Sequence, residues 1–240
     1  MPAATSIITS MTMSDGDAAL SDTVPQVEGK CVALLHLIAW LSPAFPTGAY
    51  AYSHGLEQAV EDGDVKDGET LHDWLSDVLS YGSGYNDAIL LRHAHRTGRY
   101  AELNDLAAAI APTRERRLET LDQGTAFVSA ATAWGPPPLP VRVAYPIAVG
   151  AMAAAHDIDE DQATAAYLQA FTSNLISAAV RLVPLGQSTG LRVLAALEPV
   201  VLHIVATTRD ATLDDLGGCA FCSDIAAMRH ETQYTRLFRS

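Results

Sequence analysis

The sequence predicts an all-α, single-domain bundle of roughly nine or ten helices. Three observations predict it. Apolar residues recur at helical spacing, as in Leu71, Leu75, Val78 and Leu79 with Asp73 and Asp77 on another face. Prolines and glycines mark the breaks between such segments. The one alternating stretch, Val141, Val143 and Tyr145 against Arg142 and Ala144, has no second strand to satisfy its backbone.

Residues 1–29 are rich in Ala, Ser, Thr, Asp and Gly without a sustained period, and read as a mobile leader. They carry no Lys or Arg, so the charged start of a secretory signal is missing. The nearly continuous apolar run from Val32 to Leu41 predicts a first helix, broken by Ser42-Pro43 and by Phe45-Pro46-Thr47-Gly48. Thr47 is placed to cap a second helix running through Glu57 to Asp62-Gly63. A third starts at Asp67-Gly68. Two more, near 86–96 and 100–110, are parted by Thr97-Gly98, and Pro112 is expected as the first residue of a longer helix reaching about Trp134.

Gly135 to Pro140 reads GPPPLP, four prolines in six residues, and is expected as a stiff connector between halves. An Ala-rich helix to His156 follows, then one opened by Asp159-x-x-Gln162 as a capping-box variant. Another, from about Gly190 to Val205, contains Pro199, which should kink it. A last helix is expected near Thr212, interrupted by Gly217-Gly218, before a polar tail from residue 223 to 240.

A formal net charge of −13 over 240 residues repels polyanions, so nucleic acid is not an expected partner. Neither is a membrane. The stretch Ala163 to Val180 is diluted by Gln169, Thr172, Ser173, Asn174 and Ser177 and reads as a buried helix. Three cysteines are too few for a disulfide scaffold, which favours a reducing, cytoplasmic setting.

Catalytic machinery is hard to assemble from these residues. The sole Gly-Lys pair, Gly29-Lys30, lacks the rest of a phosphate-binding loop, and there is no G-x-S-x-G. A di-iron bundle needs two Glu-x-x-His pairs, and Glu69-x-x-His72 is the single instance. Cys219-x-x-Cys222 would place two sulfurs a helical turn apart, enough to share a metal or a redox pair but also common among packed thiols. No two histidines stand at i, i+3 or i, i+4, and His93 and His95 would project to different faces. His54-x-x-Glu57 puts an imidazole and a carboxylate on one helical face, where a stabilising pair is expected. No catalytic residue, cofactor or metal site is therefore assigned.

The tail reads AAMRHETQYTRLFRS and carries Arg229, Arg236 and Arg239 on an otherwise acidic chain. Tyr234, Leu237 and Phe238 would serve as apolar anchors and the guanidinia as directed donors, the residue types that interface hot spots favour. Such a segment is expected to order on a partner.

Three segments together resemble the UreF family of urease accessory proteins. LSPAFPTGAYAYSHGLE (41–57) resembles its early signature, VRLVPLGQSTGLRVLAALEP (180–199) a motif of its second half, and SDIAAMRHETQYTRLFRS (223–240) its terminal tail. The resemblance implies a non-enzymatic, all-helical homodimer that binds UreD (also called UreH) and recruits the GTPase UreG, so that nickel enters apo-urease coupled to GTP hydrolysis. In the family the tail orders against UreD and shapes the surface that recruits UreG. The arginine of R-L-F matches Arg236, with Tyr234, Arg229, His230, Leu237 and Phe238 beside it, and Tyr50, His54 and Glu57 lie in the early signature. The alternatives are a nickel-binding metallochaperone, through His54, Glu57 or the cysteine pair, and a regulator of UreG turnover.

Overall fold

A computed structural model describes residues 15–240, with side chains from Glu28 onward. Among them are ten α-helices and no strand: α1 (Asp15–Trp40), α2 (Leu56–Glu61), α3 (Gly68–Tyr81), α4 (Ser83–Thr97), α5 (Tyr100–Ile110), α6 (Arg114–Ala130), α7 (Tyr145–Ala155), α8 (Glu160–Leu182), α9 (Gln187–Thr207) and α10 (Phe221–His230). The all-α class is the one the sequence predicts. One hydrophobic core runs through the bundle from Ala33 to Phe238.

At its centre lies α7, apolar on every side because α4, α5, α6 and α8 all pack on it. The contact with α4 is so close that a Cβ at Gly150 would collide with the carbonyl oxygen of Leu91. Local chemistry sets the ends of its neighbours. Asp67 Oδ1 accepts from the Thr70 N–H at 2.9 Å while Thr70 Oγ1 accepts from the Asp67 N–H at 3.1 Å, a reciprocal cap that starts α3. Asp159 likewise accepts from the Gln162 N–H at 2.9 Å and starts α8. The buried guanidinium of Arg92 ties α4 to α8 and α9, donating to Asp161 at 2.7 Å, to the Val205 carbonyl at 2.6 Å, and to Glu160.

Several expectations are corrected. Of the expected leader, residues 1–14 lie outside the described residues, and from Asp15 to Gly29 the backbone is already the first part of α1. No helix runs from Thr47 through Glu57. Residues 49–51 form a 3-10 turn, and His54 and Gly55 adopt φ of 62° and 77°, values a right-handed helix does not contain. Pro112 precedes the cap, which is Thr113, accepting from the Arg116 N–H at 3.0 Å. The GPPPLP segment joins α6 to α7, which pack together in one core, so it separates no halves. Thr212 caps a 3-10 turn, Leu213–Asp215, not a helix. Beyond it Asn86 holds the chain, donating to the Gly218 carbonyl at 3.0 Å and accepting from the Gly217 and Gly218 N–H groups, and α10 starts only at Phe221.

Among the described helices, α9 has the length and apolar content of a membrane span, yet it continues through Pro199 packed along α3 and α8. Between α1, α8 and α9 lies a groove of about 920 Å³, lined by Leu34, Ile38, Ala165, Gln169 and Leu202 among others.

Candidate functional site

The two left-handed residues His54 and Gly55 swing the chain into a tight turn before α2. A Cβ on Gly55 would meet the backbone nitrogen of Ala227, so the turn admits α10 only because glycine stands there. Ser53 and His54 are thereby buried, and Glu57, on the first turn of α2, faces the same interior.

The last ten residues form a strap across this turn. Glu57 Oε1 accepts from the Leu237 N–H at 2.7 Å, and Oε2 accepts from the Phe238 N–H at 3.0 Å. The Arg239 N–H donates to the Ala51 carbonyl at 2.8 Å, and the Ser53 N–H donates to the Ser240 carbonyl at 2.7 Å. Ser240 Oγ donates to Glu119 Oε2 of α6 at 2.5 Å. His230 is fully buried, Nδ1 at 2.6 Å from Glu115 Oε2 and Nε2 at 3.3 Å from Glu57 Oε2. The Phe238 ring is buried under the guanidinium of Arg181, 4.4 Å from the ring centroid, and Arg181 also donates to the Tyr50 carbonyl at 2.9 Å.

Below the strap lies a charged interior. His54 Nε2 contacts Ser83 Oγ at 2.6 Å, and the ring meets Phe171 edge to face at 5.1 Å. Burial, aided by Arg116 and opposed by Glu119, pushes the His54 pKa down to about 4. Burial alone would raise Glu119, but its ion pair with Arg116 holds it well below the usual carboxylate range. Asp87 accepts from Tyr167 OH at 2.7 Å, and burial raises it to about 6 despite that bond.

The residues singled out from the sequence therefore divide into two groups. Glu57, His230 and Phe238 are interior groups that hold the strap and His54 is an interior group of the charged cluster beneath it, whereas Tyr50, Tyr234 and Leu237 project into solvent. Arg236 donates to Glu115 at 2.5 Å and Arg229 to Asp62 at 3.0 Å, each with its side chain part-exposed. The tail, expected to order on a partner, is seated on its own chain here. Glu57 explains this, since one carboxylate takes two consecutive backbone N–H groups that would otherwise lack partners.

Sequence reasoning missed the most exposed apolar surface beside the strap. Phe221, Ile225 and Met228 point outward from α10, while the face packed on α2 and the turn carries Ser223, Ala226 and Ala227. Spacing at i, i+4 and i+7 was the available signal. Cys219 and Cys222 are exposed and unbridged, and Cys219 donates to Asp224 at 3.0 Å, which pushes its thiol up and away from the metal-binding thiolate. Among the described residues no three His, Cys, Asp or Glu converge on a metal-sized site.

Residues 65–198 match the family model described as UreF. The chain is 52% identical over 221 residues to the urease accessory protein UreF of a Bradyrhizobium species, covering 87% of this chain and 92% of that protein. It is also 52% identical over 222 residues to the same-named protein of Rhodopseudomonas palustris (87% and 93% covered), and 52% over 216 residues to that of Mesorhizobium japonicum (87% and 97% covered).

Proposed function

This chain belongs to the UreF family of urease accessory proteins, and on that premise we propose that it is a scaffold in urease maturation that makes and breaks no bonds. As a homodimer it binds UreD (UreH) through α10 and the strap, and the joint surface recruits the GTPase UreG. Nickel, the cargo, then passes to apo-urease as UreG hydrolyses GTP.

The observation that carries this reading is the inverted pattern of α10. A helix on a soluble bundle normally turns its large apolar side chains inward, and here Phe221, Ile225 and Met228 face solvent while alanines and serine face the core. With the exposed Tyr234 and Leu237 of the strap they supply aromatic and aliphatic anchors, and Arg229 and Arg236 supply flanking charge. Self-association has its own support. α1 exposes Val32, Leu34, Leu35 and Ile38, apolar around its circumference, and Leu34 and Ile38 border the groove against α8 and α9. A second copy covering that groove would bury them.

Arg236→Ala tests the recruitment step. Pull-down of UreG by the chain bound to UreD is expected to weaken about tenfold or more, since directed arginine contacts at interfaces are worth about 1–2 kcal/mol or more, while circular dichroism stays unchanged. Undiminished recruitment removes Arg236 from the surface.

A further inference from the structure

Between the strap and the N-terminal half of α6 lies a cleft of about 630 Å³. Past Tyr52, Asp122 and Arg239 it adjoins a second hollow of about 270 Å³ that reaches Tyr50. The strap supplies Arg236, Phe238 and Arg239 to the lining, and α6 supplies Arg114, Glu115, Leu118 and Asp122. The cleft therefore exists in this form only with the strap seated. Of these residues the scaffold reading gives a role to Arg236 alone.

Its carboxylates are engaged from within the chain. Glu115 accepts from Arg236 at 2.5 Å and Asp122 from Arg142 at 2.5 Å. Glu231 accepts from the Glu115 N–H at 3.2 Å, on the first turn of α6, where the helix dipole favours an anion. The arginines are not so engaged. Arg114 and Arg239 on the cleft, and Arg117 one turn beyond Arg114, are exposed and enter no ion pair among the described residues. Exposed arginines elsewhere do pair, Arg99 with Glu102, Arg209 with Asp161 and Arg229 with Asp62. Uncompensated positive charge is thus gathered at one place on a chain whose formal net charge is −13.

We propose that this cleft is a docking site for an acidic polypeptide segment, with Arg114 and Arg239 binding its carboxylates and Leu118 seating an adjoining apolar side chain. Guanidinium forks match carboxylates, and two of them on facing elements fix the direction of a chain laid between them. Leu118 is 37% exposed at the cleft, an apolar contact between the two charges. A nucleic acid fits less well. Glu115, Asp122 and Glu231 interrupt the arginines, and they repel a dense run of phosphates while a polypeptide can space its charges around them. That the segment belongs to the recruited GTPase rests on the scaffold reading, and the specificity of the cleft does not.

The test uses the full chain alone. A fluorescein-labelled peptide of alternating Glu and Leu is titrated with the chain at low ionic strength, and its fluorescence anisotropy is followed. Saturable binding is expected, weakening as salt rises from about 0.05 M to about 0.5 M and the screening length shortens. The counterpart peptide of Lys and Leu should not bind. Arg114→Glu combined with Arg239→Glu should weaken binding about tenfold or more with unchanged circular dichroism, because two attractions become two repulsions. Arg114→Gln with Arg239→Gln should weaken it by less, and it decides the matter if the reversed pair does not fold. Four results overturn the proposal: no saturable binding up to about 1 mM, equal binding by the variants, equal binding of an oligothymidylate, or displacement of the peptide by inorganic phosphate at matched ionic strength. Peptide binding by a chain that fails to co-elute with UreG would remove the scaffold reading and leave the cleft standing, and co-elution without peptide binding would do the reverse.

Discussion

His54 combines a left-handed backbone with a buried, hydrogen-bonded ring, a pairing that costs free energy twice. Its pKa is lowered from 6.5 to about 4, so the unfolded chain takes up a proton in a range where the folded chain does not. That contribution to stability is present above about pH 6.5 and is lost as pH falls toward about 4. Chemical denaturation should show the wild type losing about 3 kcal/mol more than His54→Asn between those limits, asparagine being tolerant of the left-handed region. Asp87 has the opposite sign. Raised from 3.8 to about 6, it favours folding when protonated, and that contribution disappears as pH rises through about 6. Asp87→Asn keeps an acceptor for Tyr167 and should raise stability at pH 7.5 by about 3 kcal/mol in the same assay. A loss of stability there would show that the carboxylate is fully compensated by its surroundings.

Elements with local signals were legible in the sequence. The Asp67 and Asp159 caps and the heptad-like spacing of Leu71, Leu75, Val78 and Leu79 marked α3 and the start of α8, because each signal is a contact between residues three or four apart. The turn at 53–55 was not legible, since nothing in Ser-His-Gly announces that the histidine as well as the glycine takes positive φ. Nor was the seating of the strap, which depends on Glu57 meeting residues 180 and 181 positions away. Packing at this scale is testable. Gly150→Ala forces a methyl against the Leu91 carbonyl and should destabilise the α4–α7 contact by about 3 kcal/mol, read as a lowered denaturation midpoint. α10 should respond in the reverse way: Phe221→Asp with Ile225→Asp alters exposed side chains, so stability of the isolated chain should move by less than about 0.5 kcal/mol.

At the scale of the molecule, a single core carries two unpaired apolar surfaces, the groove bordered by α1 and the outward face of α10. Neither stabilises the isolated fold, and the assembly proposed above would cover both. The all-α class and the family were legible from segments spread along the chain, whereas the division of the tail into interior and outward residues required the fold. Ile38→Asp places a charge in the groove and, on the proposed homodimer, should shift the chain from dimer to monomer in light scattering without loss of helix. The most direct test of the scaffold claim is size-exclusion chromatography with light scattering on the chain mixed with UreD, UreG and GTP. The wild type should co-elute with both partners, and the Phe221→Asp, Ile225→Asp variant should elute with neither. Co-elution of that variant with both partners would contradict the account.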